Sequence, residues 1–543
     1  MFKYYTHTIG NKQVMPTYTF EASWWFTFMV LSICIVLLLP TLAYRMGVDQ
    51  GTFAFLGSEL LEGRWQYLST WESDFPGLTF LQAFEIFLFG KSIFMFRLFD
   101  MFFQIGNALL IYLITCRLSN RISGYLAAAT FCLIYQGYGP WNTAQREGFG
   151  LLFILLGFWL YLTTERRKPI LTAALIGLGS GLAFTIKPTL LAMTTMYFPL
   201  LGFINKKNWQ LIPFAVTGLA VPIVAIIIIY WVLGGLSEMY DACIVYSSNV
   251  YSMRLRGDYP LWQFWLSKFN KLGNQAVGLS IVYVAFLMWS SNRREKLMLY
   301  LGYLGTIYAV FVQGTFAGYH YLPGLGIGSI LVGTMFSQIS TFTFRDYSFL
   351  QIWRVRITTQ LLLAHLVIIA AMPIYIKKDR ISNLVALRFF DRPYPNEFRN
   401  KTVFDFTEDF DLAEYLESHT SRDDTIQVWG YETLVYYLAN RHAASRFQMT
   451  HPLVMRVPGH DITPVQVGWR EEFIKDMIEK QPVYIAVVQN DNWWWAPKEQ
   501  TSEELLDDFP EWKEYIQKNY SFEHTIGRFT IYRRTSNFRL FSH

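Results

Sequence analysis

Charge is scarce in this chain of 543 residues: only 16% are Asp, Glu, Lys or Arg, whereas soluble proteins have roughly one quarter. Hydrophobic residues make up 52%, and the mean hydropathy is +0.23. These values exclude a disordered chain and argue against a wholly soluble enzyme. The net charge of +5 is small and scattered, which argues against a nucleic-acid partner.

Cysteine is equally scarce, with four in the whole chain. Cys34, Cys116 and Cys132 lie in or beside apolar runs, and Cys243 lies in a predicted loop. Their spacing predicts neither a disulfide framework nor a cysteine-based metal site.

The chain is rich in long apolar runs. Each is close to the ~20 residues that a helix needs to cross a bilayer. They predict a polytopic α-helical membrane protein with about eleven spans. The predicted spans are 23–44, 93–116, 123–139, 147–164, 170–186, 188–204, 211–233, 275–290, 297–316, 321–339 and 357–376.

The orientation follows from the short connections, because basic residues favour the cytoplasmic side. Alternate connections are basic: Arg117 and Arg121; Arg166, Arg167 and Lys168; Lys206 and Lys207; Arg293, Arg294 and Lys296; Arg345, Arg354 and Arg356. We therefore expect a cytoplasmic N-terminus. Loops 46–92 and 234–274, and everything after residue 376, are expected on the outer face.

The C-terminal part changes character. Residues 1–376 are predicted to form the transmembrane part, 377–400 a linker, and 401–543 an extracytoplasmic α/β domain, large enough to bury its own core. Its predicted elements are helices at 412–418, 434–440, 473–480 and 503–518, and strands at 425–429, 483–489, 522–526 and 529–533.

Asp49 follows the first span directly and begins the first outer loop. A carboxylate that is partly desolvated at the membrane surface becomes more basic, as a general base requires. The alternative is that Asp49 caps a helix beginning near Gly51.

Several motifs lie in order along the chain: the acid after span one, WESDFPG at 71–77, KPT at 187–189, HYLP at 320–323 and VWGYE at 428–432. Together they resemble membrane glycosyltransferases of the GT-C class. The similarity is greatest to the bacterial branch related to protein O-mannosyltransferases and lipid A aminoarabinose transferases.

This resemblance implies an inverting enzyme of the bacterial cytoplasmic membrane. It would move a sugar from a polyprenyl-phosphate donor in the lipid to an acceptor hydroxyl of a glycan, lipid or protein on the outer face. In the family the first-loop acid, here Asp49, activates the acceptor. Glu72 matches the family's second acid and is the second candidate, for positioning the acceptor.

A lipid-phosphate donor needs cations at headgroup depth to stabilise the leaving charge. Arg146, Lys187 and His320, with Tyr321, are the candidates for binding the donor phosphate. Each has a plainer alternative. Lys187 could extend to the membrane interface, Arg146 could pair with Glu147 or a first-loop acid, and His320 could belong to an aromatic belt.

One departure from the family leaves open whether the protein binds a metal cofactor. Many relatives have K-P-P where this chain has Asp74, Phe75 and Pro76, so a loop lysine is replaced by an acid. Either Arg146 and Lys187 alone bind the phosphate, or Asp49, Glu72 and Asp74 hold Mg²⁺ or Mn²⁺ that bridges it. Asp74 and Glu147 are accordingly candidate contacts to an acceptor or a metal.

Two other functions compete with this hypothesis. An oligosaccharide ligase or polymerase is expected to concentrate Arg and His in one large late loop, whereas the densest acids here lie in the first loop. A transporter or lipid flippase is expected to have charges in mid-span and paired halves. The mid-span charges are few: Arg97, Asp100 and His365. Arg97 and Asp100 are one turn apart, which predicts a structural ion pair.

Overall fold

The structure is a computed structural model that describes residues 24–165, 167–197, 199, 206–268, 293–340, 407–491 and 500–535. Up to residue 340 it is built of α-helices. They are α1 (Trp24–Leu38), α2 (Val48–Leu61), α3 (Gly77–Phe89), α4 (Ile93–Leu118), α5 (Arg121–Gly137), α6 (Gly139–Asn142), α7 (Arg146–Thr164), α8 (Pro169–Ile186), α9 (Ile212–Val232), α10 (Leu236–Tyr240), α11 (Ser252–Arg256), α12 (Arg293–Gln313) and α13 (Leu322–Ser340).

Other helical types connect these elements. The 3-10 helices are Leu39–Ala43, Pro188–Tyr197, Lys206–Leu211 and Gly318–Tyr321, and a π-helix runs over Asp241–Tyr251. The π-helix carries Cys243, which is buried there instead of lying in the predicted loop.

Five helices of the described part are long and apolar enough to cross a membrane: α4, α7, α8, α12 and Trp209–Val232. A sixth span results if α1 and α2, which meet at 91°, are counted together. The predicted spans 275–290 and 357–376 lie outside the described residues. In the predicted span 188–204, the first ten residues form a 3-10 helix, so an α-helical span there is not what the structure shows.

An apolar core holds the helices together. Ile111 of α4, Phe131 of α5, Leu155 of α7 and Ile327 of α13 belong to one buried cluster. By contrast, only 17% of the most apolar window around α9 is buried. An apolar outer surface on a helix of this length suits contact with lipid tails.

Arg97 and Asp100 are both buried in α4 but have separate partners. Arg97 donates hydrogen bonds to the carbonyls of Tyr44 (3.3 Å) and Pro140 (3.1 Å), whereas Asp100 accepts one from the Tyr135 hydroxyl at 2.8 Å. The predicted ion pair is therefore wrong, because the backbone supplies the acceptors for this arginine. Arg97 thereby ties the end of α1 to the segment that precedes α7.

Residues 407–535 contain a five-stranded mixed sheet with helices. The strands are β1 (Thr425–Trp429), β2 (His442–Ala443), β3 (Tyr484–Val488), β4 (Tyr520–Ile526) and β5 (Phe529–Arg534), in the order β2-β1-β3-β5-β4. β1 is parallel to β2 and β3, and β5 is antiparallel to β3 and β4. The helices are α14 (Thr407–His419), α15 (Leu434–Ala439), α16 (His451–Val454), α17 (Pro464–Lys480) and α18 (Pro510–Asn519), with a 3-10 turn at Glu504–Leu506.

Two predicted helices differ from the observed ones. The helix predicted at 503–518 is divided into the 3-10 turn and α18, because Pro510 occupies the first turn of α18 and cannot continue a preceding helix. The helix predicted at 473–480 begins earlier, at Pro464, where Thr463 and Gln466 form a capping box.

The C-terminal region packs against segment 46–92, which the sequence analysis predicted to be the first outer loop. The Thr52 hydroxyl of α2 lies 2.5 Å from the Thr433 hydroxyl, and Glu59 Oε1 lies 2.7 Å from Nδ1 of His442. The buried apolar clusters also combine residues of both parts. The loop therefore has a protein surface on its outer side as well as the helices beneath it.

Candidate active site

Asp49 lies in the first turn of α2. The N-cap is Gly47, whose N–H donates to Gln50 Oε1 at 3.0 Å, so Asp49 is not the capping residue. The amide of Gln50 donates to the Thr143 carbonyl at 2.9 Å and ties α2 to the segment before α7. Asp49 Oδ2 consequently accepts a hydrogen bond from Gln145 Nε2 at 3.2 Å.

Glu72 and Asp74 lie in a loop whose backbone is held by hydrogen bonds to side chains elsewhere in the chain. The N–H of Trp71 donates to Gln448 Oε1 at 2.9 Å, and its carbonyl accepts from Gln448 Nε2 at 2.7 Å. Glu72 follows directly. The carbonyl of Asp74 accepts from the Tyr67 hydroxyl at 2.7 Å. The C-terminal region therefore sets the position of the two acids through the loop backbone.

A close approach of α3 to α8 brings Asp74 to Lys187. A Cβ atom on Gly77 would lie 2.5 Å from the carbonyl oxygen of Thr185, so a larger residue would force the helices apart. Lys187 precedes Pro188, a position that disfavours helical backbone, and α8 ends just before it. Its Nζ lies 3.1 Å from Asp74 Oδ2, so the lysine is an ion-pair partner.

Arg146 is the first residue of α7 and bridges both loop acids. Its Nη2 lies 2.9 Å from Glu72 Oε2, and its Nη1 lies 2.7 Å from Asp74 Oδ2. The guanidinium also lies over the ring of Phe53, 4.3 Å from its centre. The pairing with first-loop acids is the plainer alternative that the sequence left open for this arginine.

These side chains line one cavity of about 190 Å³. Of the eight residues proposed from the sequence, seven line it: Asp49, Glu72, Asp74, Arg146, Glu147, Lys187 and His320. Tyr321 is not among the lining residues. Residues from five separate stretches of sequence thus meet at one polar site.

The cavity shifts the pKa values of two acids in opposite directions. Burial raises the pKa of Asp49 above its usual value, and Arg146 and Gln145 offset only part of this rise. Burial would also raise the pKa of Asp74, but the charges of Arg146 and Lys187 outweigh it and the pKa is lowered. Asp49 is therefore the more basic carboxylate, whereas Asp74 stays ionised.

His320 is buried, and burial together with the charge of Lys187 lowers its pKa to about 3. This shift favours the neutral imidazole, which carries no positive charge for a phosphate; His320 would supply one only when protonated. It can still exchange hydrogen bonds. Its Nε2 lies 3.9 Å from Glu147 Oε1.

Several lining residues escaped the sequence analysis. They are Thr52, Phe53, Ser73, Gln145, Ser247, Tyr251, Gln313, Tyr319, Tyr431 and His451. Gln145 and Tyr319 are sequence neighbours of predicted residues, and Tyr431 lies in the VWGYE motif. Nothing in the sequence around His451 marks it. Tyr431 and His451 belong to the C-terminal region, so both parts of the chain build the cavity.

The acids do not suit a divalent metal ion in this arrangement. Glu72 and Asp74 both bind Arg146, and Lys187 binds Asp74 as well. Within the described ranges, no group of three or more His, Cys, Asp and Glu side chains gathers in a way that could hold a metal ion. Arg146 and Lys187 thus occupy the carboxylate oxygens that a bound Mg²⁺ or Mn²⁺ would need as ligands.

No family model matches the sequence, and no curated protein is significantly similar to it. Solved structures are similar in fold. The crystal structure of ArnT from Cupriavidus metallidurans bound to undecaprenyl phosphate matches with a TM-score of 0.52 and 13% identity, covering 95% of this chain and 99% of that chain. The apo structure of the same protein gives a TM-score of 0.51 and 12% identity, covering 94% and 98%.

The chain thus has the fold of the GT-C class of membrane glycosyltransferases, which is the class that the motifs predicted. The likeness extends over almost the whole length of both chains. At this level of identity it concerns the fold, and the chemistry has to be argued from the cavity.

Proposed function

We propose that the protein is an inverting glycosyltransferase that uses a polyprenyl-phosphate-linked sugar as donor. The observation that carries this proposal is the cavity, where a half-buried basic carboxylate, Asp49, lies near two cations, Arg146 and Lys187. The structural neighbour that binds undecaprenyl phosphate supports a lipid-phosphate donor.

In the proposed reaction, Asp49 accepts the proton of an acceptor hydroxyl. The hydroxyl oxygen attacks the anomeric carbon of the sugar while the bond from that carbon to the phosphate oxygen breaks. The polyprenyl phosphate leaves with the bonding electrons, and the configuration at the anomeric carbon inverts. The rise in the pKa of Asp49 favours its role as base, because a more basic carboxylate accepts a proton more readily.

The donor phosphate has to compete with Glu72 and Asp74 for Arg146 and Lys187. We propose that it displaces at least one of these carboxylates, so that the guanidinium exchanges an ion pair for a phosphate contact. Such contacts strengthen as charge develops on the leaving phosphate, which is how fixed cations accelerate a reaction. Glu72, once released, is available to position the acceptor.

The proposal includes the arrangement expected from the sequence: about eleven spans in a bacterial cytoplasmic membrane, with loops 46–92 and 234–274 and the domain at 401–543 on the outer face. The acceptor is a hydroxyl of a glycan, lipid or protein that reaches this face. The packing of 46–92 against the C-terminal region supports a common side for both.

Asp49→Asn tests the chemistry, because it removes the charge and keeps the shape. We expect sugar transfer by the purified protein to fall about 10³-fold, in the range that general bases contribute. The matched control is Asp258→Asn, since the Asp258 side chain is 77% exposed and does not line the cavity. Turnover like that of the wild type in Asp49→Asn would reject the proposed base.

Labelling of single cysteines tests the orientation, in a background without the four native cysteines. Cysteines at Ser69 and Ser521 should react with a membrane-impermeant maleimide in intact cells, whereas one at Arg167 should react only after permeabilisation. The reverse pattern would invert the topology. A split between Ser69 and Ser521 would separate the loop from the C-terminal region and contradict the proposed site.

A further inference from the structure

Glu147 is the second residue of α7 and lines the cavity beside Arg146. It is 2% exposed, and its Oε1 accepts no hydrogen bond from any residue that the structure describes. Across the cavity, Nε2 of His320 lies 3.9 Å from this oxygen. A buried acceptor without a donor is costly, so native structures normally supply a partner for it.

His320 is set up to donate towards this oxygen. Its Nδ1 lies 3.4 Å from the Thr315 hydroxyl, which can donate to that nitrogen. We assign the Thr315 hydroxyl as the donor in this contact; a neutral imidazole has one N–H, and the assignment places it on Nε2. The ring packs edge-on against Tyr319, with 4.6 Å between the ring centres, which limits its reorientation.

The separation of 3.9 Å is too long for a direct hydrogen bond, and both side chains line the cavity, so a group bound in the cavity is the candidate to bridge them. The bridging group has to donate to Glu147 Oε1 and accept from His320 Nε2. A hydroxyl does both, whereas an ammonium group has no lone pair with which to accept and a methyl group does neither.

We infer that Glu147 and His320 form a subsite for one hydroxyl group of the transferred sugar. This inference rests on the proposed function, because Arg146 and Lys187 place the donor phosphate in the same cavity. With the phosphate bound by these cations, the sugar is the part of the donor that can reach the carboxyl group. The pair then selects donors by the position of a single hydroxyl.

The experiment separates lipid binding from sugar binding. Dissociation constants are measured in detergent for bare undecaprenyl phosphate and for undecaprenyl phosphate carrying glucose, galactose, mannose or N-acetylglucosamine. For the wild type we expect at least one sugar-bearing lipid to bind about tenfold more tightly than the bare lipid, the scale of one net hydrogen bond. Glu147→Ala and His320→Ala should each remove this difference and keep the affinity for the bare lipid.

Glu165→Ala is the matched control, because Glu165 lies at the other end of α7 and pairs with Arg294. It should keep the sugar-dependent difference. Single deoxy derivatives of the preferred sugar identify the hydroxyl: one of them should lose the difference in the wild type and show no further loss in Glu147→Ala.

The outcomes distinguish the two proposals. If the wild type binds neither lipid, the proposed function fails, and this inference fails with it. If bare undecaprenyl phosphate binds but Glu147→Ala retains the preference for the sugar-bearing lipid, the proposed donor survives. A water molecule then fills the gap, and the hydroxyl subsite is overturned.

Discussion

Two arginines in this protein each bridge a pair of acids, and they differ mainly in access. Arg146 contacts two loop acids whose side chains are 11% and 20% exposed and line the cavity. Arg528 contacts Asp409 at 3.1 Å and Glu432 at 3.5 Å, where the acid side chains are 0% and 1% exposed. Among the described residues that line the cavity, none belongs to this second cluster.

The comparison teaches that a cluster of charges does not by itself mark an active site. An enclosed cluster has no ligand to exchange with, so removing its cation leaves acids buried without compensation. A cluster at a cavity can exchange a carboxylate for a substrate phosphate at modest cost. Loss of Arg146 should therefore affect turnover, whereas loss of Arg528 should affect stability.

The most direct way to break the comparison is to truncate each arginine. We expect Arg146→Ala to reduce transfer about 10²-fold or more, the scale of losing a group that stabilises developing charge. Arg528→Ala should instead reduce the free energy of unfolding by about 2 kcal/mol, because the buried Asp409 and Glu432 side chains lose the guanidinium that they contact. The folded fraction of that variant should keep most of its activity. Melting temperature and transfer rate are measured on the same preparations, and equal activity losses in both variants would contradict the distinction.

The pH dependence sharpens the comparison. At the cavity, the proposed transfer requires Asp49 without a proton, and burial raises the pKa of Asp49. The rate should therefore fall as the pH falls through a pKa above the usual value of 3.8 for an aspartate. In the enclosed cluster, burial raises the pKa of Asp409 to about 8, although Arg528 opposes the rise.

Stability depends on pH in the opposite direction to the transfer rate: it should fall as the pH rises. The folded state holds a proton on Asp409 that the unfolded state loses near its ordinary pKa. This contribution to stability is complete below that value and is lost as the pH rises towards about 8. The melting temperature of the wild type should decline over this window, and Asp409→Asn should flatten the decline. An unchanged slope in Asp409→Asn would show that other groups cause it.

The smallest expected effect is that of metal removal. Arg146 and Lys187 occupy the carboxylates that could have held Mg²⁺ or Mn²⁺. Transfer should therefore be unchanged by a chelator such as EDTA and should not rise when either ion is added. Loss of activity with a chelator, restored by one of these ions, would mean that the acids leave the cations and bind metal in the working enzyme.

Part of this structure could be predicted from the sequence. Strand β1 has the bounds that local pattern predicted, Thr425–Trp429, because a short apolar run with flanking polar residues is itself the signal. Asp49 could be found because it follows the first span directly. The neutral state of His320 could not be predicted from the sequence, because it depends on burial by residues that are distant along the chain. The contact between Trp71 and Gln448 joins positions 377 residues apart, and no local pattern encodes it.

The contact between Trp71 and Gln448 can form only late in the synthesis of the chain. The side-chain amide of Gln448 pairs with both polar backbone atoms of Trp71, much as a neighbouring strand would, and the residue after Trp71 is one of the acids of the cavity. At ribosomal speeds of roughly 5 to 20 residues per second, the intervening 377 residues take about 20 to 75 s to make. A nascent chain already inserted in the membrane therefore carries an unfinished loop during that interval. The ribosome has to complete the C-terminal region before the cavity has all of its lining residues, because Tyr431 and His451 belong to that region.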